Sequence, residues 1–168
     1  MIIFDLDGTL ADCEHRRHFV DRDPEYRQND SIHWKPDWDA FNEACDNDKP
    51  IDSVIHVLDG IYFNSSDTQY FLKNVQVWSG RSESVRKKTI DWLDKHTLFD
   101  GLAHGITVKM RPIGDYTPDD ILKERWLDEA IAEGKKIDFV FDDRPKVIKM
   151  WRRRGIFVFN CCQHDEEF

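Results

Sequence analysis

Residues 1–9 read Met1-Ile2-Ile3-Phe4-Asp5-Leu6-Asp7-Gly8-Thr9. Four apolar residues in a row, stopped by acids and a glycine, read as a buried parallel strand ending in a polar turn. Carboxylates two apart point the same way while a chain stays extended, so Asp5 and Asp7 face one space. Gly8 and Thr9 then turn the chain, and their backbone N–H groups are expected to stand free for a phosphate oxygen. Asp-x-Asp-Gly also opens the calcium loop of an EF-hand. That loop is flanked by helices and closes on a Glu at its twelfth position, where this chain has Arg16.

The same grammar recurs downstream. Val75 to Trp78 reads as a strand followed by Ser79-Gly80-Arg81, Ile106 to Met110 as a third strand, Ile137 to Phe141 as a fourth closed by Asp142-Asp143, and Ile156 to Phe159 as a fifth. Helical patterns lie between them. Ile51 to Phe63 has apolar residues at helical spacing, Ser84 is placed to cap a helix running to His96, Thr117 and Pro118 to open one ending at Gly134, and Pro145 to open one ending at Gly155. Strands alternating with such helices predict an α/β fold, a Rossmann-like core with a five-stranded parallel sheet. Ligands bind beyond the carboxyl ends of such strands. Asp5, Asp7, Ser79, Asp142 and Asp143 all follow strands, so they should meet at one edge.

Residues 12–50 break the rhythm. They are too long for a plain loop in a compact domain, and Phe19, Trp34, Trp38 and Phe41 make them too aromatic for a linker. They read as a small, partly helical insert within one domain spanning residues 1–168. Arg16, Arg17 and Trp34 are candidates to hold a second phosphate or stack a base. The competing reading turns the arginines to water and puts Trp38 and Phe41 in the insert's own miniature core.

The composition narrows the function classes. Hydrophobic residues make up 40% of the 168, with six Trp and eleven Phe, enough for a true core. A formal net charge of −9 argues against a general nucleic-acid coat, which needs a cationic surface. It leaves room for a local cationic site at one phosphate end. No apolar run approaches the roughly 20 residues that span a bilayer, and Asp5 interrupts the first apolar stretch, so neither an export signal nor a membrane segment is expected. Cys13, Cys45, Cys161 and Cys162 lack C-x-x-C spacing and read as reduced thiols of a cytoplasmic protein.

Two adjacent acids after an apolar strand, Asp142 and Asp143, repel unless well solvated or bridged by a cation. With Asp5 and Asp7 at the same edge, a magnesium site is the better account, since hard oxygen ligands suit that ion. Ser79 is able to donate to a phosphate oxygen, and Gly80 lets a ligand approach the backbone closely. Lys123 lies four residues after Asp119, and is either a surface partner of that acid or a charge aimed at the shared edge.

Taken in order, the D-x-D-G-T at Asp5, the S-G-R at Ser79, the helix lysine Lys123 and the D-D at Asp142 resemble the four motifs of the haloacid dehalogenase (HAD) superfamily of phosphatases. The resemblance implies a nucleophile at Asp5, a general acid/base at Asp7, and charge stabilisation by Lys123. Ser79 and Lys123 look like the superfamily's phosphate-binding pair, with Gly8, Thr9, Gly80 and Arg81 as further phosphate contacts. The resemblance also implies magnesium held by Asp5, Asp142 and the carbonyl of Asp7, with Asp143 the outer-shell partner. The stretch Arg111-x-x-Gly114-Asp115, Asp119-Asp120-x-x-Lys123-Glu124, Asp142-Asp143-Arg144 and Val147-x-x-Met150-Trp151-Arg152-Arg153-x-Gly155 is similar to the 3′-phosphatase domain of bacteriophage polynucleotide kinase/phosphatases, which adds Arg111 as a candidate substrate contact. No G-x-x-x-x-G-K-[ST] of a kinase half occurs in the chain, and the insert is longer than that domain's segment. The expected substrate is the 3′-phosphate end of DNA or RNA, with free nucleoside monophosphates as the runner-up and a non-catalytic phosphate-binding protein as the competing class. Placed between the first motif and the first core helix, the insert is positioned like the small caps of that superfamily. If encoded by a phage, the protein would work in the host cytoplasm.

Overall fold

The computed structural model describes residues 1–21, 35–65, 67–98 and 105–162. The first strand, β1 (Ile2–Phe4), leads through a short strand β2 (Ala11–Asp12) and a 3-10 turn at Glu14–Phe19 into α1 (Trp38–Glu43) and a second 3-10 turn at Ala44–Asn47. Strand β3 (Lys49–Pro50) pairs antiparallel with β2 and closes this excursion at its base. Then come α2 (Asp52–Asn64), α3 (Thr68–Asn74), β4 (Val75–Ser82), α4 (Arg86–His96), β5 (Thr107–Arg111), α5 (Asp119–Ala132), β6 (Phe139–Asp142), α6 (Pro145–Arg153) and β7 (Phe157–Asn160).

The sheet has the order β5-β4-β1-β6-β7, and every pairing in it is parallel. The five-stranded α/β architecture expected from the sequence is therefore present, with β1 at its centre. Because side chains alternate along a strand, the inner strands β1, β4 and β6 each feed two cores. Phe4, Val75, Val77 and Phe141 pack with Ile55, Leu58, Phe71, Ile90 and Leu93 of α2, α3 and α4. Ile3, Trp78, Val140 and Val158 pack on the other face with Leu122, Trp126, Leu127, Val147, Ile148 and Trp151 of α5 and α6. A sheet buried on both faces explains the unbroken apolar runs in the sequence. Among the described residues no helix is long and apolar enough to cross a membrane.

Several local expectations shift. Helix α3 was not anticipated: Asp67 caps it, its carboxylate accepting from Gln69 N–H at 2.8 Å. Strand β4 runs through Ser79-Gly80-Arg81 to Ser82, with a register shift between Ser79 and Ser82. Ser82, not Ser84, caps the next turn, accepting from Ser84 N–H, and a 3-10 segment precedes α4. Pro118 takes the capping position of α5, while Thr117 N–H is drawn to the Asp115 carboxylate at 2.8 Å. Within the insert Phe41 is buried as expected. Trp38 is 43% exposed instead, its ring set edge-on to Phe41 at 5.7 Å between centroids. Trp34 lies outside the described residues.

Candidate active site

All five strands of the sheet run in one direction, so their carboxyl ends form a single edge. Strand β1 brings Asp5 there, its N–H held by the Phe141 carbonyl of β6 at 2.9 Å. Helix α5 lies against the same edge and sends Lys123 inward. The lysine ammonium is 2.8 Å from Asp5 Oδ1 and 2.8 Å from Asp142 Oδ2, and all three side chains are nearly or fully buried. Of the two readings of Lys123, the surface pair with Asp119 is therefore not the one adopted. Lys109 is not in reach of this site: it pairs with Glu129 at 2.5 Å and sits over the rings of Trp78 and Trp126.

Asp142 is further fixed by the Trp151 indole N–H at 3.3 Å and the Arg144 backbone N–H at 3.2 Å. Asp5, Asp142 and Asp143 offer carboxylate oxygens that all lie within 4.8 Å of one another. One ammonium faces three carboxylates, which leaves negative charge uncompensated. Burial raises the Asp5 carboxyl to about 6, with Lys123 opposing and Asp142 adding to the shift. Burial also pushes Asp143 up to about 8, helped by the charges of Asp5 and Asp142. Asp143 Oδ1 is buried without a hydrogen-bond partner. A crowded acid trio with an orphaned oxygen is the environment that a hard divalent cation fits.

The loop after Asp5 is tighter than its sequence implied. Gly8 N–H donates to the Ala11 carbonyl at 2.8 Å and Thr9 N–H to the Leu6 carbonyl at 3.2 Å. These two amides are thus used to hold the turn and do not stand free, because the chain must double back at once into β2. Gly8 has φ +83°, and a Cβ there would fall 2.0 Å from Asp143 Oδ2, so only glycine lets that carboxylate approach. What remains for an anion is hydroxyl: Thr9 Oγ1 is buried with no partner, and buried Ser79 Oγ accepts from Arg81 N–H at 3.1 Å, leaving its own proton to donate.

Asp7 faces a second buried ionic group. Arg81 reaches it with Nη2 at 2.6 Å and Nε at 2.9 Å, and Arg16 with Nη2 at 2.5 Å. Behind both arginines stands Asp48, which takes Arg16 bidentately at 2.7 Å through each oxygen and Arg81 at 2.5 Å. Arg16 also donates to the Phe41 carbonyl at 3.0 Å, and His15 Nε2 lies 2.9 Å from Asp48. Burial alone would raise the Asp7 carboxyl, but Arg81 and Arg16 outweigh it and hold it down at about 2. Arg16 is therefore interior. It neither faces water nor reaches outward from the insert, because its guanidinium is enclosed by two carboxylates and a carbonyl. Arg81 is likewise turned to Asp7 and Asp48. Asp48 is the residue that sequence reasoning missed.

A third charged group lies beside Gly80. Arg111 donates to the Gly80 carbonyl at 2.9 Å and pairs with Asp119, which Arg144 also grips. A Cβ on Gly80 would meet Asp119 Oδ1 at 2.8 Å. Arg17 stands apart, paired with Glu14 at 3.1 Å and Asp21 at 2.7 Å on its own segment.

The family model for the phosphatase domain of polynucleotide kinase PNKP, a HAD domain, matches residues 38–166. A protein of Autographa californica nuclear polyhedrosis virus, named as a bifunctional polynucleotide kinase/RNA ligase, is 36% identical over 91 residues, or 54% of this chain and 12% of that protein. A chain in the structure of the Pnkp1/Rnl/Hen1 RNA repair complex superposes with a TM-score of 0.65 at 25% identity, covering 98% of this chain and 43% of that one. The Bacillus anthracis class C acid phosphatase, solved with tungstate bound, shares the fold at a TM-score of 0.51 and 14% identity, over 97% of this chain and 67% of its own. The chain thus spans under half the length of the repair-complex chain and a small part of the viral protein.

Proposed function

Since this chain belongs to the family of the polynucleotide kinase PNKP phosphatase domain, and so is a HAD-type phosphatase, we propose that it removes the phosphate from 3′ ends of polynucleotides, with Asp5 as the nucleophile. The observation that carries the chemistry is the contact of Lys123 with Asp5 and Asp142 at the edge of the central strand, beside the partnerless Asp143 oxygen. A phosphomonoester dianion repels a carboxylate nucleophile, and an ammonium held against that carboxylate offsets the repulsion while stabilising charge on the transferring group.

Asp5 attacks phosphorus through a carboxylate oxygen as the bond to the sugar oxygen breaks, giving an aspartyl-phosphate. Asp7 supplies the proton that the leaving oxygen takes up. Water then attacks the phosphorus and gives its proton to Asp7, the bond to Asp5 breaks, and phosphate leaves. At about 2, the Asp7 carboxyl of the free protein is ionised at neutral pH. An entering phosphate adds negative charge nearby, which raises the carboxyl toward a proton-carrying range. Ser79 and Thr9 hydroxyls, with Gly8 and Gly80 clearing space, bind the phosphoryl oxygens. Asp5, Asp142, Asp143 and the Asp7 carbonyl would hold magnesium, which supplies positive charge for the transferring phosphoryl oxygens when bound. Residues 12–50 act as a cap whose inner side, through Arg16 and Asp48, is part of the site's interior.

The test is a panel of phosphate esters at equal concentration. A 3′-phosphorylated oligonucleotide should be turned over best, with affinity falling as salt rises at a slope set by the few phosphates touched. Asp5→Asn should abolish turnover while the protein stays folded. Mononucleotides turned over far better than the oligonucleotide would replace this reading with a nucleotidase.

A further inference from the structure

The segment 112–118 joins β5 to α5 across the carboxyl edge of the sheet. It is a braced structure. Asp115 N–H closes a turn on the Pro112 carbonyl at 3.1 Å, with Gly114 at φ +78° in its third position, as a type II turn requires. Arg111 Nη1 donates to the Asp115 carbonyl at 3.2 Å and the Thr117 carbonyl at 2.5 Å, and Arg125 pins the Asp115 carboxylate at 2.7 Å. Yet this rigid loop turns two large apolar side chains to solvent: Ile113 is 73% exposed and Tyr116 81%. An aromatic and an aliphatic side chain carried on one stiff turn give a ready contact surface for a flat apolar ligand.

Position names the occupant. Sheet order sets β5 two strands from β1. At about 4.8 Å per strand, the end of β5 lies about 10 Å across the edge from the end of β1. A nucleotide whose phosphate lies at Asp5 must place its base along this edge, and the loop after β5 is a neighbour within its reach. Gly80, which has no side chain, and Asp119, neutralised by Arg111 and Arg144, occupy the ground next to the loop. Three arginines (111, 125 and 144) against two acids (115 and 119) give this ion-paired set an excess positive charge. In a chain of net charge −9 that is a local match to a phosphodiester.

We propose that Tyr116, with Ile113 at the corner of the same loop, is the platform on which the base of the phosphate-bearing nucleotide stacks. This rests on the end-processing reading given above and adds a recognition element to it. Stacking on an aromatic face is available to every base, so the platform recognises a nucleotide as such and does not choose among sequences.

The experiment compares wild type, Tyr116→Ala and Tyr116→Trp in the full chain. The substrates are a 3′-phosphorylated oligonucleotide, the same oligonucleotide lacking the terminal base, and glycerol phosphate. Tyr116→Ala should lower kcat/KM on the intact oligonucleotide about tenfold, mostly through KM, the size of one base–aromatic stack. Tyr116→Trp should restore it. Removing the base should cost the wild type the same factor and cost Tyr116→Ala nothing further, with glycerol phosphate equally handled by all three. Equal loss on the baseless substrate, or no loss on the intact one, overturns the platform. Should the wild type ignore the oligonucleotide altogether, the end-processing reading falls. The platform is then judged on nucleoside 3′-monophosphates, where the same Tyr116→Ala loss is required.

Discussion

Replacing Lys123 by Met keeps most of the side chain's length and removes its charge. The lysine is 4% exposed and contacts Asp5 and Asp142 at 2.8 Å each. Breaking a buried pair from one side costs about 3–5 kcal/mol, because a charge is left uncompensated. Part of that is relieved here. Asp5 already sits at about 6 in the metal-free protein and rises further without the lysine. Taking up a proton at pH 7 then costs less than about 1.4 kcal/mol. The expected loss at pH 7 is accordingly about 3 kcal/mol, a large share of the roughly 5–15 kcal/mol that holds a domain folded. The sign with pH follows from linkage. A carboxyl whose folded value lies above its unfolded 3.8 contributes stability below that value and loses it as pH rises through about 6. In Lys123→Met this loss deepens and moves to higher pH, so the gap to the wild type should be smallest near pH 5 and widest near pH 8. Urea denaturation in the presence of a chelator measures it. Added magnesium should narrow the gap by supplying the missing positive charge, and turnover should fall by about 10²–10³, the usual cost of one lost charge donor. A variant as stable as the wild type at pH 8 without metal, and within threefold of it in turnover, refutes the assignment of Lys123 to the buried acid group.

Two further outcomes follow from the geometry. Asp48→Asn leaves Arg16 and Arg81 facing Asp7 alone. Losing one charge-assisted hydrogen bond to each arginine, at about 1.5–3 kcal/mol apiece, removes roughly 3–6 kcal/mol and should lower the melting temperature by about 6–24 °C, at roughly 2–4 °C per kcal/mol for a chain of this size. Calorimetry reading a change under 2 °C would mean the Asp7 group is not assembled as described. Gly8→Ala places a methyl where Asp143 Oδ2 lies 2.0 Å away and strains a φ of +83°. Magnesium affinity by titration calorimetry should fall at least tenfold with little loss of helix content; unchanged affinity would remove Asp143 from the cation site.

Much of this site could be read along the chain, for a physical reason. In a sheet buried on both faces, each strand is a short apolar run and its end is marked by the first polar residues. Asp5 and Asp142 therefore announce both the strand and the edge, whereas Ser79 lies inside β4, which runs on to Ser82. Helix α3, seven residues of TQYFLKN, is too short to show a period and was missed. The Gly8 and Thr9 amides were misjudged because turn chemistry says which residues bend the chain, not which carbonyls they find. Asp48 had no local signal. It lies 32 residues from Arg16 and 33 from Arg81, and charged residues in polar stretches are ordinarily solvated. Only closure of the fold, which brings β3 beside β2 and the Trp92 indole N–H onto the Asp48 carbonyl at 2.8 Å, makes burial of that acid tolerable.

The two carboxylates of the opening motif are chemically alike and two residues apart, yet the fold drives them in opposite directions, Asp5 raised to about 6 and Asp7 lowered to about 2. The division comes from their partners. Asp5 shares one lysine with two further acids, so its group has charge to spare and invites a cation. Asp7 and Asp48 together meet two arginines, so theirs is neutral. A lone arginine on Asp7 would leave its carboxylate free to turn toward the acid trio, and without Asp48 two arginines would hold it too firmly to accept a proton. Asp48 competes with Asp7 for both guanidinium groups. If Asp7 is the proposed proton donor, this sharing tempers a hold that would otherwise keep its carboxylate ionised. On the proposed reading, the insert would act on the reaction from the inside, through the acid that shares both arginines with Asp7.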